Sequence, residues 1–139
     1  MDASLAPYHQ HHQALLRLAG NCESRLDVAL VRNHPELCLA AIHRLVGLAK
    51  AHLAMENAIL YPALFSDSDA EILATARRLE ADLDGLKATL REFGQHWTSA
   101  ETIRRAPEAF IGASLTLLGV LRQRIEVEVS SLFPLVERA

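Results

Sequence analysis

Five polar side chains decide what chemistry this sequence can support: His12, His52, Glu56, Arg124 and Glu128. Four of them form two copies of one pattern. His52-x-x-x-Glu56 leads into Leu60-Tyr61-Pro62 and, 72 residues on, Arg124-x-x-x-Glu128 leads into Leu132-Phe133-Pro134. Residues four apart on a helix point the same way. Each of the five falls where helical spacing asks for an apolar residue. An ionised carboxylate buried without a partner is prohibitively costly, so Glu56 and Glu128 each need a cation or a proton. Imidazole nitrogen with carboxylate oxygen is a common ligand set for iron, manganese or zinc. On facing helices of a bundle, such sets build carboxylate-bridged dinuclear centres. A single histidine in an apolar stripe is more often a satisfied core residue, but several polar intruders in register are harder to explain that way.

Four helices must position these groups, over about residues 8–31, 35–64, 69–97 and 107–137. The first carries the stripe Tyr8, His12, Leu15, Ala19, Cys22, Leu26, and the second Leu45, Leu48, His52, Met55, Glu56, Ile59, Ala63. The third runs Ile72, Ala76, Leu79, Leu83, Leu86, Leu90, Phe93, Trp97, and the fourth includes Leu117, Leu121, Arg124, Glu128 and Leu132. Asn33-His34-Pro35 separates the first pair. Ser66 to Asp69 forms a turn with an N-cap for the third helix, and Thr98 to Ala106 is a polar connection. Long amphipathic helices with short connections predict an all-α fold: one up-down-up-down antiparallel four-helix bundle spanning residues 1–139. Glycines 47, 85, 94, 112 and 119 fall inside helices, where the expected reason is close approach of neighbouring backbones. Pro62 and Pro134 are expected to bend or end their helices. Tyr61 and Phe133 read as packing residues, and His9 and His11 as exposed.

Composition excludes several classes. Half of the 139 residues are hydrophobic, 5% are aromatic, and the net charge is -3. There is no basic field for nucleic acid. No uninterrupted apolar run approaches the roughly 20 residues of a membrane span. Cys22 and Cys38 are too few for a disulfide framework and read as reduced, buried thiols, which with the absence of a signal-peptide pattern suggests a cytoplasmic protein. No nucleophile triad, phosphate loop or nucleotide fingerprint is visible, so no enzymatic activity is expected.

The stretch from His52 through Glu56 to Tyr61-Pro62, its repeat at Arg124 to Phe133-Pro134, and His12 on the first helix together resemble the hemerythrin HHE family over nearly the whole chain. The resemblance implies a hemerythrin-like bundle with a non-haem di-iron centre, often with dioxygen at it, or an iron or redox sensor. Two positions depart from the pattern. The family's third-helix histidine slot falls on Leu83, and its fourth-helix slot holds Arg124. Leucine has no donor atom, and arginine is never deprotonated in a protein. Asp82 and Asp84 flank the lost slot but point elsewhere, since one helical step rotates a side chain about 100°. Turned inward, Arg124 would place a fixed positive charge beside two buried carboxylates, as a tethered substitute for one metal ion; the alternative is that it snorkels out of the bundle end without a partner.

The expectation is therefore an eroded di-iron site in a metal-free or metal-poor regulatory bundle, with no cofactor and with a protein partner or a second copy of the chain. The alternative is a protein that binds or senses one non-haem iron or another divalent metal (zinc or manganese) through His12, His52, Glu56 and Glu128. A di-iron dioxygen-binding protein is the least supported reading.

Overall fold

Helix starts are fixed by the residues that precede them. The Asp69 side chain accepts from the backbone N–H groups of Glu71 and Ile72, Asp27 from Leu30, and Ser99 from Thr102. Pro35 and Pro107 open their helices, where a missing N–H costs nothing. The structure, a computed structural model, describes residues 5–138. Its elements are α1 (Ala6–Glu23), α2 (Val28–Asn33), α3 (Pro35–Met55), a π-helical turn (Glu56–Leu60), α4 (Tyr61–Phe65), α5 (Ala70–Ala81), α6 (Leu83–His96), α7 (Ala100–Arg105), α8 (Pro107–Val127), a second π-helical turn (Glu128–Leu132) and α9 (Phe133–Arg138). No strand occurs among the described residues.

The fold is an all-α bundle. α1 packs on α3 and α8; α3 packs on α6, and α4 on α5; α6 packs on α8, while α5 meets the second π turn and α9. Near one end of α1 His9 touches Glu137, and near the other Glu23 touches Arg122, so α1 runs opposite to the last helical rod. The core between the rods includes Ile42, Leu45, Tyr61, Leu83, Leu90, Phe110, Leu117 and Phe133, all almost inaccessible to solvent.

Several sequence expectations need correction. The first helix does not run unbroken to residue 31: it stops at Glu23, and Asp27 caps a separate short helix. The third divides at Asp82. The connection 98–106 contains α7, which buries Ile103 completely. Pro62 and Pro134 do not end their helices. A proline ring clashes with the carbonyl four residues back. In each π turn the bonds reach back five residues instead, Tyr61 N–H to the Glu56 carbonyl and Phe133 N–H to the Glu128 carbonyl, and the helix continues through the proline. The extra residue moves the apolar stripe by one. Ile59, expected inside, is 60% exposed, and Ala63 is exposed, whereas Leu60, Tyr61 and Leu64 are buried. Each π turn begins at a carboxylate of the candidate site, a placement π-helical turns often have.

The glycines are not points of close approach. A Cβ built at Gly47, Gly85, Gly94, Gly112 or Gly119 would meet nothing within 4 Å. Gly47→Ala and Gly119→Ala should therefore each stabilise the fold by up to about 1 kcal/mol, through helix propensity alone. Thermal melting checks this, and a fall in melting temperature for either variant would contradict it.

By length and composition the helix Pro35–Phe65 is apolar enough to cross a membrane, with a mean hydropathy of 1.3 over an 18-residue stretch. In this fold it is a bundle member that buries His52 and Glu56.

Candidate metal centre

The two π turns bring Glu56 and Glu128 face to face, and α1 and α3 add His12 and His52. All four side chains are buried, with both glutamates at 0% exposure. One donor atom from each can be chosen so that all lie within 4.8 Å of one another. His12 Nε2 lies 2.7 Å from Glu128 Oε1 and is placed to donate to it. His52 Nε2 is 3.3 Å from Glu56 Oε2 and 3.7 Å from Glu128 Oε1, within ion-pair range but aligned with neither as a hydrogen bond. Both oxygens of Glu56 are buried without a hydrogen-bond partner.

Arg124 turns inward, with its side chain only 9% exposed. Its Nε sits 3.3 Å from Glu128 Oε2, and one terminal nitrogen lies 4.0 Å from Glu56 Oε1. That same nitrogen donates to the Tyr61 hydroxyl at 2.6 Å, and the other donates to the Leu79 carbonyl at 2.7 Å. The break at Asp82, just beyond, leaves the Leu79 carbonyl near the end of α5, where it can take this bond. The guanidinium thus spans both carboxylates without gripping either in a bidentate fork.

Tyr61 is more than packing. Its hydroxyl donates to Glu128 Oε2 at 3.2 Å while accepting from Arg124. Phe133, its counterpart in the repeat, stacks on His12 with ring centroids 5.3 Å apart and planes 8° from parallel. His11, expected to be exposed, is half-buried, and its Nδ1 lies 3.1 Å from His52 Nδ1. That bond fixes the His52 ring with Nε2 toward the carboxylates, an orienting role common around metal ligands. His9 stays outside the cluster and pairs with Glu137. Leu83 is buried in the core. A cavity of about 10 Å³ beside the cluster is lined by His52, Arg124 and Glu128 with apolar neighbours, among them Leu86 of α6.

Proton affinities follow from this crowding. Burial, and then the Glu128 carboxylate beside it, push Glu56 up to about 8. Burial works against ionisation of Glu128 too. Its contacts with Glu56, His12 and His52, and the Arg124 charge, outweigh burial and hold it well below the usual carboxylate range. For His52, burial alone would lower the pKa, but Glu128 and Glu56 overcome it and raise it to about 9. Near neutral pH Glu56 therefore keeps a proton, and Glu128 is the ionised partner of Arg124.

Tyr61→Phe should cost about 1–3 kcal/mol in urea unfolding, because Arg124 and Glu128 each lose a buried partner. Unchanged stability would mean that the ring matters and the hydroxyl does not.

With this geometry in place, the family assignment is direct. The model of the hemerythrin HHE cation-binding domain matches residues 4–136, and the chain belongs to that family. Comparison with curated proteins and with solved structures returned no match.

Proposed function

We propose that this chain binds one divalent transition-metal ion through His12, His52, Glu56 and Glu128, as a metal-binding or sensing domain, and that Arg124 takes the place of a second ion. The observation that carries this reading is Glu56. It is fully buried, and neither of its carboxylate oxygens has a hydrogen-bond partner. The donor separations, all within 4.8 Å, are close to the roughly 3–4.4 Å that metal–ligand bonds of about 2.1 Å impose. Two imidazoles and two carboxylates suit iron, zinc or manganese. Such an ion would supply Lewis acidity or, if iron, one-electron chemistry. The chain's own part is to hold the donors in a dry core, orient His52 through His11, and balance Glu128 with Arg124. A second ion has no comparable set, since Arg124 fills the position and α6 presents Leu86 to the adjoining cavity.

In the metal-free regulatory bundle that the sequence favours, Glu56 has only a proton, the His52 ring at 3.3 Å and Arg124 at 4.0 Å to offset its charge, and none of them hydrogen-bonds its oxygens. A binding role is favoured over catalysis because the cavity beside the cluster, about 10 Å³, holds roughly one water and no organic substrate.

The test is metal content per chain after purification without chelator, together with melting before and after EDTA. About one iron, zinc or manganese per chain is expected, lost in His52→Ala, with a melting temperature that falls on chelation because the ion binds only the folded state. No metal and no EDTA effect would return the protein to the metal-free reading.

A further inference from the structure

The charge pattern of the surface points to a second, unrelated site. Apart from Arg124, several of the chain's arginines are paired: Arg104 and Arg105 with Glu101, Arg122 with Glu23, Arg32 with Glu108. The chain has only two lysines, Lys50 and Lys87, and both line one groove, Lys50 from α3 and Lys87 from α6. Arg91, one turn beyond Lys87, lines it too. Among the described residues none of these three cations forms an ion pair with a carboxylate. Three cations without a carboxylate partner line one cavity of a chain whose net charge is -3.

The floor of the groove is of another kind. Leu53 and Leu90 close it from the core with almost no exposed surface, Ala54 and the aliphatic stems of the three cations supply the apolar surface, and the Asn57 amide adds a neutral donor and acceptor. The volume is about 420 Å³, within the range of small-molecule sites and far above that of the cavity at the His/Glu cluster. Mostly apolar walls with a few convergent polar groups are what a small-molecule site needs. Leu53 also lines the small cavity beside His52 and Glu128, so a ligand here lies one side chain away from the cluster and does not touch it.

We propose that the groove between α3 and α6 binds a small organic anion that carries two or more negative charges at one end and an apolar body at the other. Lys50, Lys87 and Arg91 hold the charged end, Asn57 hydrogen-bonds it, and Ala54 with the aliphatic stems of the cations packs against the body. The site does not depend on metal at the His/Glu cluster.

The probe is phenyl phosphate, a dianion on a flat apolar ring, titrated into the full chain and followed by amide NMR. Saturable shifts are expected at residues 50–57 and 87–91, with a dissociation constant of roughly 0.1–1 mM. The double variant Lys50→Gln/Lys87→Gln should weaken binding at least about tenfold while melting temperature and metal content stay unchanged. Added salt should weaken binding, as expected for exposed charges. Benzyl alcohol, of similar shape without charge, should cause no saturable shift. The proposal is overturned if phenyl phosphate gives no saturable shift, if the double variant binds it equally well, or if benzyl alcohol binds as tightly.

Discussion

Arg124→Leu should destabilise the metal-free protein by about 3–5 kcal/mol, the cost of removing one partner from a buried ion pair. Glu128 then keeps its charge in a closed core with only histidine and tyrosine partners, and the Leu79 carbonyl and Tyr61 hydroxyl each lose a donor. The shape of the residue matters as well as its charge. Arg124→Lys keeps the charge but cannot span Leu79, Tyr61 and Glu128 at once, so it should recover only part of the loss. Urea unfolding of EDTA-treated protein reads both values. Arg124→His should act in the opposite sense on metal, adding a donor where the guanidinium stood and raising metal affinity or uptake. A leucine variant within about 1 kcal/mol of the parent would show that Arg124 is not the counter-charge of the cluster.

Glu56→Met should do the reverse. The metal-free protein becomes more stable, and metal binding is lost. Methionine fills similar space without a carboxyl group to desolvate. The gain depends on pH. Glu56 is raised from 4.5 to about 8 in the fold, so its contribution is fully present below about pH 4.5 and is lost as pH rises through 8. His52, raised from 6.5 to about 9, acts in the same direction over the next interval. Glu128 is lowered, so its contribution is lost only as pH falls below its unfolded value. The metal-free parent should therefore be most stable near pH 5 and lose a few kcal/mol by pH 9. Glu56→Met should flatten much of that slope. Metal reverses it, because binding displaces the protons on Glu56 and His52, and affinity should climb across the same window. A metal-free parent whose melting temperature is flat from pH 5 to 9 would contradict the assignment of a proton to Glu56.

The sequence made the donors legible because burial of polar groups is costly enough to be conspicuous. His12, His52, Glu56 and Glu128 interrupt apolar stripes, and all four are buried together. Arg124 stood out for the same reason. Tyr61 did not, since an aromatic residue before proline fits a packing role, and only the folded chain shows its hydroxyl between Arg124 and Glu128. His11 was missed because neighbours in a helix diverge by about 100°, yet its ring still reaches His52 across the α1–α3 contact. The shift from Ile59 to Leu60 had a readable cause in Pro62, whose clash with the preceding turn is relieved by one extra residue. A uniform 3.6-residue period hides that. The break at Ser24 to Asp27 is a short-range capping choice and the one at Asp82, where no side chain caps, a single-residue irregularity, and an amphipathic stripe averages over both. The helical glycines have open space around them, and nothing in the structure explains their presence.

One measurement bears most directly on the single-ion site. Crystals grown with zinc, with data collected on both sides of its absorption edge, locate the ion by anomalous scattering. One peak is expected in the core, about 2.0–2.2 Å from donor atoms of His12, His52, Glu56 and Glu128, with the Arg124 guanidinium still beside Glu128. Two peaks bridged by the carboxylates, or a core without a peak in crystals that bind zinc only at the surface, would contradict it.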